Sequence, residues 1–316
     1  MTGAAGFIGS QLVDRLLAAG QHVIGVDNFA RGTEANIAAA RAHPRFELVT
    51  ADLAVEDQVM QVVLPAVQGV QITTIWHMAA NSDIPAGVSD PNVDYRDTFL
   101  TTFQTLALLR RCGASRIAFA STSAVYGELT GALREDSGPL LPISNYGAMK
   151  LASEAAISAA VTDAVERAWI FRFPNVVGPR GTHGVIFDFL HKLKGRDDEL
   201  EVLGDGTQQK PYLHVTELLD AMLFITEQAT GRINLFNIGP PDAGVAVSDI
   251  AAIVLAASGH PRTAIRYTGG DRGWAGDVPR FHYSVEKLAN LGWRPRLTSH
   301  EAIRQAAADL AAEIES

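Results

Sequence analysis

Cysteine is almost absent from this chain. The single residue, Cys112, excludes an intrachain disulfide and any cysteine-based zinc site. Its place at the end of an apolar helical pattern reads as a packed, inert thiol. Aromatic residues make up only 7%, and no basic run occurs within a net charge of −9. The chain therefore lacks the electrostatic footprint of a nucleic-acid binder. A few placed Arg and Lys still suffice for a small anionic ligand. No apolar run reaches membrane length and no signal-peptide pattern is read, so a cytoplasmic location is the default expectation. Neither an internal repeat nor a low-complexity linker breaks the 316 residues. That length accommodates one large α/β domain and a smaller lobe. At 47% hydrophobic and 19% charged, the composition is that of an ordinary soluble globular protein.

What is present begins at once. Met1-Thr2-Gly3-Ala4-Ala5-Gly6-Phe7-Ile8-Gly9-Ser10 is a glycine-rich phosphate loop. Glycines at this spacing let the backbone turn tightly, approach a pyrophosphate and pack a helix on a sheet. The anion then sits on N–H groups at the start of a helix expected over Phe7–Ala19. Without a ligand, the same pattern is simply a tight turn. Such a loop normally follows a central β-strand, of which at most Met1 and Thr2 are present. A central strand pairs on both sides, and losing one leaves backbone groups unpaired at about 1–3 kcal/mol each. The expectation is that the start at Met1 falls inside the first strand of a longer native chain.

Apolar runs at His22–Asp27, Phe46–Thr50, Thr74–Met78, Arg116–Ala120 and Trp169–Phe173 alternate with helical stretches at Phe7–Ala19, Glu56–Val67, Asp90–Cys112 and Asn145–Val165. This alternation predicts right-handed βαβ units and a doubly wound parallel sheet. The strands are apolar throughout, as when both sheet faces are covered. After Pro174 the elements shorten: a helix near Val185–Leu193, and a strand pair at Leu200–Leu203 and Pro211–Leu213. A helix at Val215–Glu227 and a strand at Ile233–Ile238 read as a return to the first domain. The rest is mostly helical, with a loop at Gly269–Asp277. The predicted division is a dinucleotide-binding domain of 1–174 plus about 214–239, and a smaller α/β lobe of 175–213 and 240–316.

Asp27 ends the second apolar run, where a carboxylate accepts both adenosine-ribose hydroxyls and repels a 2′-phosphate. That favours NAD over NADP, although Arg31 lies close enough to blur the preference. Asp27 also suits a strand-end turn. Asp52 and Leu53 either flank the adenine or, for Asp52, cap the next helix. Tyr146 and Lys150, four apart in a helical stretch, share one face. An ammonium near a phenol lowers a pKa normally near 10, so the pair can act as a general base on a substrate hydroxyl. A plain surface pair is the alternative. Ser121-Thr122-Ser123 follows the strand ending at Ala120, at the sheet edge where ligands bind. His77, without clustered partners, reads as structural, and no metal is expected.

Together these residues resemble the extended short-chain dehydrogenase/reductase family, in its NAD-dependent nucleotide-sugar epimerase/dehydratase branch. The motifs are Thr2–Gly9, His77-Met78-Ala79-Ala80, Ser121–Gly127, Tyr146–Lys150, Phe171–Asn175, Gly204-Asp205-Gly206 and Leu291-Gly292-Trp293. They span nearly the whole chain in the family's order. The resemblance implies a Rossmann domain with a substrate lobe, and a catalytic set of Thr122, Tyr146 and Lys150. Thr122 is preferred to its serine neighbours because it lies four residues before Tyr126. NAD is implied at Gly3, Gly6, Phe7, Ile8, Gly9, Asp27, Asn28, Asp52, Leu53, Ala79, Ala80 and Lys150. The nucleotide-sugar is implied at Thr122, Ser123, Tyr146, Asn175, Val202, Lys210 and Arg272. Asn175 also fits a turn after Pro174, and Arg272 an exposed loop charge. Lys210 stands where many members have Arg, and a lysine makes no bidentate bond.

Members that dehydrate the sugar carry Asp-Glu after the catalytic Thr. Here those positions are Ser123 and Ala124, and the Glu of the UDP-glucuronate decarboxylases is missing at Ala124. The resemblance therefore implies the UDP-glucose/UDP-galactose 4-epimerase reaction, through a transient 4-keto sugar. Alternatives are another nucleotide-sugar oxidoreductase, such as a 4-keto-sugar reductase or dehydratase, and a catalytically silent dinucleotide-binding protein. A homodimer is expected through Asp90–Cys112 and Asn145–Val165. Leu106, Leu108, Leu109, Ile157 and Val161 suit that interface or packing on the sheet.

Overall fold

Alternating strands and helices build one parallel sheet in the first of two contact units. The computed structural model describes residues 1–194, 198–240, 242–270 and 282–315. The first unit comprises Met1–Val125, Ser144–Arg172 and Thr226–Leu235. Its elements are α1 (Phe7–Ala18), β1 (Val23–Asp27), β2 (Phe46–Thr50), β3 (Ile75–His77), α2 (Thr101–Cys112), β4 (Arg116–Ala120), α3 (Asn145–Ala160) and β5 (Arg167–Arg172). β1 and β2 pair in parallel from Val23–Phe46 to Asp27–Thr50. β3 pairs with β4, and β4 with β5, also in parallel.

Thr2 joins the two halves of this sheet, bridging Val26 on one side and His77 on the other. Val26 N donates to Met1 O at 2.7 Å, and Thr2 N donates to Trp76 O at 2.9 Å. The order is thus β2, β1, Thr2, β3, β4, β5, followed by Ile233–Leu235. This is the doubly wound order of a Rossmann sheet, and the chain reverses its direction of winding at Thr2. Ligands bind such sheets beyond the carboxyl ends of the strands at that switch point. The glycine loop after Thr2 and the Ala79-Ala80 segment after β3 both start there.

The strand runs are apolar because helices cover them. Ile75, Ile117, Phe119 and Ile170 pack with Leu106, Leu109, Ile157 and Val161 in one cluster. Leu108 packs with Val26, Val49 and Val59 in another. Leu106, Leu108, Leu109, Ile157 and Val161 are thus core residues at 0–4% exposure, not an outer face. The aromatic residues on the outside of that region are Tyr95, at 49% exposure, and Phe103, at 54%. The backbone before α2 widens to a π-turn at Tyr95–Leu100. Asn81 N donates to Asp97 O there, at 3.1 Å, which anchors the loop after β3.

The second unit comprises Tyr126–Ile143, Phe173–Ile225 and Phe236–Ser316. In this division 126–143, most of the helix starting at Val215, and 236–239 go with the second unit. Its elements are β6 (Asn175–Val177), α4 (Val185–Leu193), β7 (Glu199–Val202), β8 (Gln209–Lys210), β9 (Tyr212–His214), α5 (Val215–Gln228, continuing into the first unit), β10 (Ile233–Asn237, entering from it), β11 (Val245–Ala246), α6 (Val247–Ala257), β12 (Ala264–Tyr267) and α7 (Ser299–Glu315). Ile186, Phe189, Leu200, Val202, Ile250 and Ile303 share its core.

The expected pairing of Leu200–Leu203 with Pro211–Leu213 does not form. β7 pairs in parallel with β12, and β9 pairs in parallel with β6. Beyond this parallel ladder lies an isolated antiparallel Gly204–Gly269 bridge, and Gly204 N donates to Thr268 Oγ1 at 2.9 Å. Those bonds commit the turn to β12 rather than to its neighbour in sequence. β12 itself was hidden in a stretch expected to be helical. Among the described residues no helix is long and apolar enough to cross a membrane.

His77 is structural. It is fully buried, with Nδ1 2.7 Å from Thr2 Oγ1 and Nε2 3.0 Å from Thr102 Oγ1. Both ring nitrogens are therefore occupied. Burial first, then the nearby charges of Lys150 and the terminal amine, push its pKa down to about 3. The folded state resists protonation, so this contribution is complete above the unfolded value and is lost as pH falls from about 6.5 towards 3. Between pH 7 and 5 it costs about 2 kcal/mol. Urea unfolding across that range is expected to show the decline, and His77→Asn to flatten it.

Candidate active site

The first half of the site is the glycine loop. Gly3 has φ +66°, and a Cβ there would lie 2.8 Å from Ala79 N. A Cβ at Gly9 would lie 1.9 Å from Gly3 O. Only glycines let α1 close on the loop and let the loop close on the end of β3. Gly6 is the N-cap of α1, with extended backbone and no side-chain cap. The first-turn residues Phe7, Ile8 and Gly9 thus present an uncapped helix start. Ala79 N donates to Thr2 Oγ1 at 3.2 Å, and Ala79 and Ala80 are half-buried beside the loop.

Asp27, at the end of β1, accepts from Ala5 N and Phe29 N, each at 2.8 Å. A carboxylate has about four acceptor sites, so two stay open. Asn28 is exposed and closes its own turn, accepting from Ala30 N at 3.0 Å. Arg31 is drawn to Asp83 at 2.6 Å. Asp52 accepts from Ala54 N at 2.9 Å and pairs with Arg96. It does not cap the next helix, whose N-cap is Val55. The Leu53 side chain is packed into the core at 4% exposure.

The second half is one face of α3 against the end of β4. Ser144 caps α3, accepting from Gly147 N at 3.1 Å. Asn145 Nδ2 donates to Gly87 O at 2.9 Å. One residue later Tyr146, half-buried, is hydrogen-bonded to Thr122. Thr122 Oγ1 also accepts from Ala124 N at 3.1 Å, which leaves the Thr122 hydroxyl proton for Tyr146. Ser123 is half-buried at the start of a short 3₁₀ turn. Lys150, 3% exposed, donates to Ala120 O at 2.7 Å and lies 4.8 Å above the Phe119 ring.

The expected lowering of the Tyr146 pKa is not found. Burial pushes the phenol up to about 12, opposed by the Thr122 hydrogen bond and reinforced by the Asp94 charge. Lys150 cannot reverse this, because burial lowers its own pKa to about 7. The charges of Glu154 and Asp94 hold Lys150 up against that burial.

Asn175, Val202 and Lys210 all belong to the second unit. Asn175 is exposed at the start of β6. Val202 is wholly buried in the core at the end of β7, so any contact there falls to the strand end rather than its side chain. Lys210 is half-buried on β8, paired with Val245. Arg272 lies outside the described residues. Motif reading missed Glu154, Asn81 and Asp94, and gave Arg172 no role although it lies within Phe171–Asn175. Asp94 is fully buried, accepts from Asn81 Nδ2 at 2.8 Å, and is held above the usual carboxylate range by burial. The spacing of Tyr146, Lys150 and Glu154 was the available signal for Glu154.

The model of the NAD-dependent epimerase/dehydratase family matches residues 1–239. The crystal structure of a UDP-galactose 4-epimerase is similar, with a TM-score of 0.84 at 35% identity, over 99% of this chain and 98% of that one. The UDP-glucose 4-epimerase of Thermus thermophilus, solved with NAD, gives 0.83 at 29% identity over 98% and 97%. In sequence, the UDP-glucose 4-epimerase of Corynebacterium glutamicum is 29% identical over 96% of this chain and 92% of its own.

NAD is the cofactor of this family. The residues here fit it: a loop with no room for a Cβ at Gly3 or Gly9, an uncapped helix start, and Asp27 with acceptor sites to spare. Gly9→Ala is expected to force the loop from α1, at a cost of about 1–3 kcal/mol. The purified variant should release far less NAD on denaturation than the parent, and melt earlier.

Proposed function

The chain belongs to the NAD-dependent epimerase/dehydratase family, and on that premise we propose that it inverts C4 of a UDP-hexose through a transient 4-keto sugar. One observation carries this reading. Thr122, Tyr146 and Lys150 converge, while Ser123 and Ala124 stand where dehydration needs an acid and a base. The site can move a proton on the 4-hydroxyl, and Ser123 and Ala124 offer no acid–base pair to eliminate water across C5 and C6.

When bound, NAD supplies the acceptor and donor for the C4 hydrogen. Gly3, Gly6, Phe7, Ile8, Gly9, Asp27, Ala79, Ala80 and Lys150 would hold it. As the phenolate, its own proton having passed to the neutral form of Lys150, Tyr146 takes the 4-hydroxyl proton and returns it after the keto sugar has turned over. Thr122 donates to the Tyr146 oxygen and so stabilises its ionised form. Lys150, titrating at about 7, keeps a mobile proton beside the phenol. Asn175 is assigned to the diphosphate. Purified protein with its own NAD is expected to interconvert UDP-galactose and UDP-glucose without added cofactor. Tyr146→Phe should lose about 10²–10⁴-fold in kcat with NAD content unchanged. Unchanged turnover would remove Tyr146 from the mechanism.

A homodimer belongs to the same proposal, now through a different set of residues. Tyr95, Phe99 and Phe103 form an aromatic row, with ring centroids 6.3 Å apart at each step. Phe103 borders a shallow groove with Leu106, Arg110, Ala156 and Ala159. A row exposed at Tyr95 and Phe103 beside such a groove suits a second copy of the same two helices. Light scattering should give a dimer for the parent and a folded monomer for Phe103→Glu.

A further inference from the structure

Resting on the reading of Thr122, Tyr146 and Lys150 as the working groups, we propose that Glu154 and Arg172 are positioning residues for that set. Tyr146, Lys150 and Glu154 occupy successive turns of one face of α3. Each meets a different residue at the end of β4. Tyr146 bonds Thr122, Lys150 donates to Ala120 O, and Ser121 Oγ donates to Glu154 Oε1. The Glu154 carboxylate is gripped in turn by Arg172 at the end of β5. Arg172 Nε donates to Oε1 at 2.9 Å and Nη2 to Oε2 at 2.6 Å. Ser121 N also donates to Phe171 O at 2.7 Å, closing the contact between strands and helix.

Glu154 and Arg172 are 6% and 3% exposed. A buried ion pair seldom stabilises more than apolar packing would, so stability alone does not account for it. Its geometry does something else. It fixes Ser121, the residue before Thr122, against the turn after Lys150, and so sets the register in which Thr122 meets Tyr146. It also puts the Glu154 carboxylate beside Lys150, where its charge favours the ammonium form. The other groups facing Lys150 are Asp94, which favours its ammonium form, and His77 and Tyr146, both neutral at pH 7.

The test uses the full-length, NAD-loaded protein. Ser121→Ala removes one hydrogen bond and keeps the ion pair. It is expected to lower kcat for a UDP-hexose about tenfold or more, with KM and melting temperature nearly unchanged. In Glu154→Gln, the ¹⁵Nζ resonance of Lys150, one of five lysines, is expected to titrate about one pH unit lower. Wild-type kcat in the first variant and a wild-type Lys150 titration in the second overturn the proposal. If Glu154→Gln does not fold, Ser121→Ala decides. If the wild-type protein turns over no UDP-hexose, the functional reading fails while the Lys150 titration still decides the positioning role.

Discussion

The site depends on how one face of α3 meets the end of β4. Lys150 donates to Ala120 O, so the helix is docked by a buried ammonium on a strand carbonyl. A shift of one residue along β4 would put a serine opposite Tyr146 in place of Thr122. The contact is therefore a register constraint before it is chemistry. The parallel sheet supports it from below, since β4 is paired on both sides by β3 and β5.

Burial sets the electrostatics. The same desolvation that raises Tyr146 lowers Lys150 and His77. It acts against the charged form in each case, so the signs differ with the chemistry of the group. His77 answers it by staying neutral between two threonine hydroxyls. Lys150 answers it with a carbonyl acceptor and two carboxylates, Glu154 and Asp94. The result is a phenol and an amine whose pKa values are brought to about 12 and about 7, far from the simple picture of a lysine that acidifies its neighbour.

Much of the first unit was legible in the sequence because its signals are local. The runs Phe46–Thr50 and Arg116–Ala120 are strands at those bounds, and the glycine loop opens α1 at Phe7. Tyr146 and Lys150 could be put on one face by counting. What could not be read is what depends on partners distant in sequence. The pairing of β7 with β12 joins segments far apart in sequence. Leu106 and Ile157 look the same in a list of apolar residues whether they meet the sheet or another copy. Asp94 carries no motif, and Arg172 lies in Phe171–Asn175 with no role read for it; only the fold brings them to α3.

The central claim is that the side chains of this site move the proton of one hydroxyl, with chemistry on the sugar confined to C4. It is tested most directly with UDP-galactose carrying deuterium at C4, incubated in water with the protein and its own NAD. The account predicts UDP-glucose that keeps its deuterium at C4 and whose C5 hydrogen has not exchanged with solvent. Label lost from C4, exchange at C5, or a product lacking the 6-hydroxyl would contradict it.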